Sequence, residues 1–293
     1  MHVLIPLILL SASLLPGCGS KGDDSAGGTS DGGTSDGGTS DGGSGDGGTS
    51  DGGTSDGGST GGLTSGDGFA IVYAASTDIG LDGRAPVSAT FDADGQLAGY
   101  LWSKVEAPTR GDCSTADLGT LGDVSWGRWK DGTLGGAFYG GTFSYPADDG
   151  FHYGVAAAPQ LKGSLGLDGA YTLVAATAPT LSGGSVGPGS ATASATVIAG
   201  DTPMVSLQIQ VVQGGETMTI QSPGYPDASL AGSTVWEGQV SGPATATGGP
   251  LCSTASCDVY LRGVFADDGH TLVIAYQAAT SERVSGVVVL QQE

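Results

Sequence analysis

Basic residues are scarce in this chain: 9 lysines and arginines stand against 30 aspartates and glutamates, for a formal charge of −21. No basic cluster offsets that excess, so phosphate backbones and anionic headgroups are repelled and nucleic-acid binding is excluded. Histidine is scarcer still. Beyond His2 there are only His152 and His270, each just after an Asp-Gly pair (Asp149-Gly150 and Asp268-Gly269). Hydrolytic catalysis needs a positioned base, and a histidine on the shoulder of a hairpin is expected to be exposed rather than poised. The same scarcity leaves no zinc-ligand spacing. Gly183-Gly184-Ser185-Val186-Gly187 lacks the lysine of a phosphate loop. Long apolar runs are missing as well: Val3 to Leu15 is about 13 residues, short of the ~20 that a membrane helix needs. These absences point to a non-enzymatic protein with no metal and no cofactor.

Large side chains are missing from one region in particular. Residues 19–66 hold 20 of the 56 glycines, no aromatic residue, and Leu63 as the sole large aliphatic. Within them Gly-Gly-Thr-Ser-Asp recurs five times between Gly27 and Asp56, interrupted by Gly42-Gly43-Ser44-Gly45-Asp46. A five-residue period without an apolar position cannot build the coil of a calcium-binding β-roll. It reads as a disordered tether, with a random-coil span of roughly 35–40 Å, lengthened by repulsion among its aspartates. Just before it, Leu15-Pro16-Gly17-Cys18 closes the apolar leader. The leader fits a signal segment, and its end resembles the bacterial lipobox, in which a small residue precedes the lipid-modified cysteine. We therefore expect a signal peptide over 1–17, lipid on Cys18, and a tether over 18–66. The lipid would be the membrane partner. Gly19, following Cys18, carries no acidic retention signal, which favours the outer membrane; the cell surface is the further expectation.

Removing Cys18 leaves Cys113, Cys252 and Cys257. Cys252 and Cys257 bracket Ser-Thr-Ala-Ser, and a short-loop disulfide between them suits an oxidising compartment. Cys113 is then free; the alternative is that it takes one of that pair.

From Phe69 onward the pattern is β throughout, and no stretch keeps a capped helical stripe. Val205, Leu207, Ile209 and Val211 alternate with polar residues, Gly214-Gly215 turns the chain, and Met218 and Ile220 alternate on the return. Asp92-Ala93-Asp94-Gly95 reads as a hairpin turn, since the closing residues of a calcium loop are absent. Further strands are expected at Phe69–Ala74, Val87–Phe91, Leu97–Trp102, Asp123–Trp129, Leu134–Phe138, Phe151–Ala156, Ala170–Ala175, Ser190–Ile198, Val235–Val240, Val259–Phe265, Thr271–Tyr276 and Val284–Leu290. Many short strands at steady spacing argue for an antiparallel barrel or a sandwich.

Trp126-Gly127-Arg128-Trp129, then Tyr171 to Thr180, Arg262 to Gly269, Ile274 to Tyr276 and Val284 to Val288 follow in an order that resembles the C-terminal barrel of some FecR-type proteins. That domain is similar in turn to the barrels of transferrin-binding-protein-B-like surface lipoproteins. The resemblance covers 122–293 and implies an up-and-down barrel of about eight strands, preceded by a small β segment at 67–121. It carries over no partner and no functional residue. Trp126 and Arg128 share a strand face and read either as a cation–π ligand platform or as a barrel-closing aromatic with an arginine stem on it. The function expected is a monomeric envelope lipoprotein whose barrel loops bind a protein or small ligand. Tyr225, set between Pro223 and Pro226, is the candidate binding residue. The alternative is a structural envelope protein with no discrete ligand site.

Overall fold

The computed structural model describes residues 63–293, except 103–104, 137–141, 158–167, 199–203, 224, 226–232, 237–238, 267–268 and 281. The expected signal segment, Cys18 and the tether repeats lie outside the described residues. The strands are β1 (Gly66–Ala75), β2 (Ile79–Phe91), β3 (Leu97–Trp102), β4 (Val105–Thr109), β5 (Ser114–Leu121), β6 (Val124–Lys130), β7 (Gly132–Thr133), β8 (Ser144–Tyr145), β9 (Phe151–Ala157) and β10 (Gly169–Ala176). They continue with β11 (Thr180–Leu181), β12 (Ser190–Ile198), β13 (Met204–Gln213), β14 (Glu216–Gln221), β15 (Ser233–Trp236), β16 (Gln239–Gly248), β17 (Ser253–Phe265), β18 (Thr271–Ala279) and β19 (Arg283–Gln292). One helical turn, Gly249–Cys252, separates β16 from β17.

The second half of the chain closes on itself. Its strands run β10-β12-β13-β14-β16-β17-β18-β19, and β19 pairs back onto β10 through Tyr171↔Gln292 to Ala176↔Val288, all antiparallel. This is an eight-stranded up-and-down barrel. Alternation fills it: Val205, Leu207, Ile209, Val211, Met218, Ile220, Leu261, Phe265, Leu272, Ile274, Tyr276, Val288 and Leu290 share one buried core. Gly214 and Gly215 take positive φ of 61° and 83° at the β13–β14 turn, where the twist of a hairpin demands left-handed backbone. β15 is a short spur between β13 and β16.

The first half is an open seven-stranded sheet in the order β4-β3-β2-β1-β9-β6-β5. One of its faces is aromatic, with Phe69, Tyr73, Phe91, Tyr100, Trp129, Phe151 and Tyr153 in one core. Trp129 stacks on Phe151 at 5.1 Å and donates its indole N–H to the Leu97 carbonyl at 3.1 Å. Its other face lies on the outside of the barrel: Ala70, Val72, Ala74, Val124 and Ala156 meet Val264, Val273, Ala275, Val287 and Val289. These residues are small or β-branched, so the two layers approach closely. Gly154 sets the limit, because a Cβ there would lie 2.4 Å from Cγ1 of Val273.

The barrel and the hairpins over 205–222 and 87–102 form as expected. Other expectations are corrected. The division placed after Leu121 falls inside the first sheet, since β5 pairs with β6 from Ser114↔Lys130 to Leu121↔Val124. The sheets divide between β9 and β10 instead. The strand expected at Leu134–Phe138 does not form over Leu134–Gly136; β7 ends at Thr133 and Leu134 drops into the aromatic core. Val235–Val240 is not one strand but a reversal, with Val235 paired to Val240.

Candidate functional site

Polar groups are concentrated at one end of the contact between sheet and barrel. β9 sends Phe151, Tyr153 and Val155 into the aromatic core, so His152 takes the opposite, barrel-facing side. The imidazole is fully buried; Nδ1 lies 2.8 Å from Thr177 Oγ1 and Nε2 lies 2.8 Å from Thr180 Oγ1. Arg128 is its cross-strand register partner on β6, is 3% exposed, and donates from Nε to Asp117 Oδ2 at 2.9 Å. That carboxylate oxygen also accepts the Ala178 N–H at 3.0 Å. Asp117 reaches inward from a bulge in β5, where its own φ is +56°. Asp149, buried beside the turn before β9, accepts the N–H of Gly150 and, at 3.0 Å, that of Gly183.

The long connection from β10 to β12 is thus held on both sides. His152, Asp117 and Asp149 grip it from the sheet. From the barrel, the Val287 N–H donates to Thr177 Oγ1 at 2.9 Å and Gln213 Nε2 donates to the Pro179 carbonyl at 3.4 Å. Burial, and secondarily the Arg128 charge, hold the His152 ring well below its ordinary pKa. The expectation that His152 is exposed is therefore overturned: the hairpin shoulder it stands on is covered by the barrel. His270 is exposed and pairs with Gln292. The Trp126–Arg128 platform does not form either, because Arg128 is buried in an ion pair while Trp126 lies against Gly119 and the edge of the contact layer.

Elsewhere the cysteines divide simply. Cys252 and Cys257 form a disulfide with 5.6 Å between their Cα atoms, and both lie in the barrel core. Cys113 is free and buried, and burial, with the neighbouring Asp112 charge, pushes its thiol up to about 11. Asp92 behaves as a turn residue: its carboxylate accepts the N–H groups of Asp94 and Gln96 and pairs with Arg110 at 2.8 Å. Partial burial alone would raise that carboxyl, but these hydrogen bonds and the guanidinium outweigh it and hold it below its ordinary value. No cluster of three or more metal-ligating side chains occurs among the described residues. No helix among them is long and apolar enough to cross a membrane.

On the surface, Tyr225 is half-buried, with its hydroxyl 3.3 Å from Ser194 Oγ; Gly224 and Pro226 of its loop lie outside the described residues. A shallow groove of about 370 Å³ on the barrel wall is lined by Ser241, Gly242, Ala244, Asp258, Val259, Tyr260 and Arg262. Tyr260, 49% exposed, is the most exposed large side chain with apolar character described. It stands on a wall strand, Ser253–Phe265, where local sequence marks no groove. The outward position of Tyr260 follows from the inward Val259 and Leu261.

No family model matches this chain, and no curated protein matches it. Among solved structures it is similar to isotype 1 transferrin binding protein B from serogroup B Neisseria meningitidis, at TM-score 0.37 and 11% identity, over 77% of this chain and 43% of that one. This chain spans less than half the length of that protein. The likeness carries no argument about activity; the barrel rests on its own strand pairings.

Proposed function

We propose that this protein is a non-catalytic bacterial envelope lipoprotein. In this reading, lipid on Cys18 and the Gly-Gly-Thr-Ser-Asp tether hold the folded body clear of the outer membrane, at the cell surface, to bind a protein or small ligand. The observation that carries the reading is the order along the chain. An apolar leader closes on Cys18, a repeat without core-forming residues follows, and the fold begins at once with β1. β1 is flanked by β2 and β9 and buried over its last seven residues. A pull along the tether is therefore borne by two hydrogen-bonded ladders rather than by a peeling edge strand. Kinship with FecR-type barrels belongs to the same proposal and rests on the motif order alone.

The binding surface proposed is the outer barrel, at the Tyr225 loop and at the wall groove of Tyr260 and Arg262. A specific observation favours the second reading, a spacer with no ligand site. The other exposed large apolar residues (Leu101, Leu118, Val174 and Val212) stand on different strands, which is ordinary for a surface. Protease shaving of intact cells, beside the Cys18→Ala variant, tests the anchor. Release of the body from whole cells, with Cys18→Ala secreting it to the medium, is the expected result. A body protected until the outer membrane is broken would place it in the periplasm and overturn surface display.

A further inference from the structure

The contact between sheet and barrel contains a titratable group held between two hydroxyls. Nδ1 of His152 lies 2.8 Å from Thr177 Oγ1 and Nε2 lies 2.8 Å from Thr180 Oγ1. Thr177 Oγ1 also accepts the Val287 N–H, and the Val287 carbonyl at 3.5 Å is a long alternative acceptor for its own proton. A neutral ring accepts from one hydroxyl and donates to the other. Thr177 and Thr180 belong to the barrel's β10–β11 segment, so a neutral ring joins the two layers.

A second proton has no place here. With both nitrogens protonated neither hydroxyl can donate to the ring, and turning the Thr177 hydroxyl leaves its proton only the 3.5 Å contact with Val287 O. The cation would also lie beside Arg128 from β6. The nearby carboxylates are committed: Asp117 from β5 to Arg128 and the Ala178 N–H, Asp149 from the turn before β9 to the N–H groups of Gly150 and Gly183. β1, β11 and β19 bring Ala74, Thr180 and Val287 to this place, and none of these titrates.

We propose that His152 is an acid-sensitive clasp, whose protonation releases the N-terminal sheet from the barrel while the barrel stays closed. The barrel can survive the release because its eight-strand ring and its interior core are complete without the sheet. The sign follows from linkage. The clasped ring has a depressed pKa, whereas a released ring titrates near the ordinary value of about 6.5. Closure is therefore independent of this group above that pH. Below it, closure weakens about tenfold per pH unit until the clasped ring itself protonates.

Hydrogen exchange of the full chain at pH 7.5 and 5.0, corrected for intrinsic exchange rates, tests this. Opening of β1 and β9 is expected to rise about 30-fold at pH 5.0, while β13 and β14 keep their protection. His152→Gln keeps a donor and an acceptor without titrating and is expected to remove the rise. The same acid-induced opening in His152→Gln, or β13 and β14 opening in step with β1, would overturn the proposal. Should that variant fail to fold, the ring nitrogens of the wild-type protein can be followed by NMR. A ring that stays neutral down to pH 5 in the closed protein supports the clasp; one that titrates near 6.5 there sinks it.

Discussion

The barrel buries one face of its strands in a largely aliphatic interior and closes its own edges, whereas the N-terminal sheet stays open and relies on the barrel to cover its second face. β1 shows the contrast best: Phe69, Ile71 and Tyr73 enter an aromatic core, while Ala70, Val72 and Ala74 lie against the barrel wall. Apart from the closing pair of β10 with β19 (Tyr171↔Gln292 to Ala176↔Val288), the barrel's pairs join strands nearly adjacent in sequence, which keeps most of its contacts local. The sheet joins β1 to β9 across some 80 residues (Phe69↔Ala157 to Ala75↔Phe151) and holds the barrel through polar ties at one end. Two cores in one chain thus have unequal independence.

Variants with damage confined to one core test that inequality. The largest effect is expected from Trp129→Ala. The variant removes a fully buried indole stacked on Phe151 and should cost about 4 kcal/mol. Denaturant unfolding followed by hydrogen exchange should show the sheet lost first and the barrel still protected. A single transition in which both go together would break the comparison. A smaller effect, on the other core, is expected from replacing Cys252 and Cys257 together by serine. That bridge closes a sequence separation of 5, worth about 2 kcal/mol in the chain-entropy account. The loss should appear as faster exchange in β16 and β17 with the sheet unchanged.

The barrel was legible in the sequence because its signal is local. Val205 to Val211 alternates, Gly214-Gly215 turns, and Met218 and Ile220 alternate back, so register and inner face are written within about twenty residues. The sheet was only partly legible. β5, Ser114–Leu121, has no aliphatic alternation and breaks at the Asp117 bulge, so nothing marked it as a strand that pairs with β6. His152 was misjudged for the same reason in another form. Local context gave the hairpin shoulder, but the Thr177 and Thr180 that bury it come from 25 and 28 residues away. Trp126 and Arg128 looked like one platform because they share a strand face. The carboxylate that takes Arg128 stands on a neighbouring strand that had not been recognised.

The smallest expected effect concerns the wall groove, and its smallness is the point. Tyr260 faces outward between Asp258 and Arg262, and opposite it across the β16–β17 ladder is Pro243. A side chain that exposed contributes little to folding, so Tyr260→Ala should change stability by less than about 0.5 kcal/mol. For a body of this size that is a shift in Tm of about 2 °C or less by calorimetry. A near-silent Tyr260→Ala would mean that the ring is not needed by the fold, and the groove would stay a proposal worth probing beside Tyr225. A fall of several degrees would mean that the ring packs against the wall as part of the fold. The groove would then be scaffold, and the outer barrel would lose its most exposed aromatic contact.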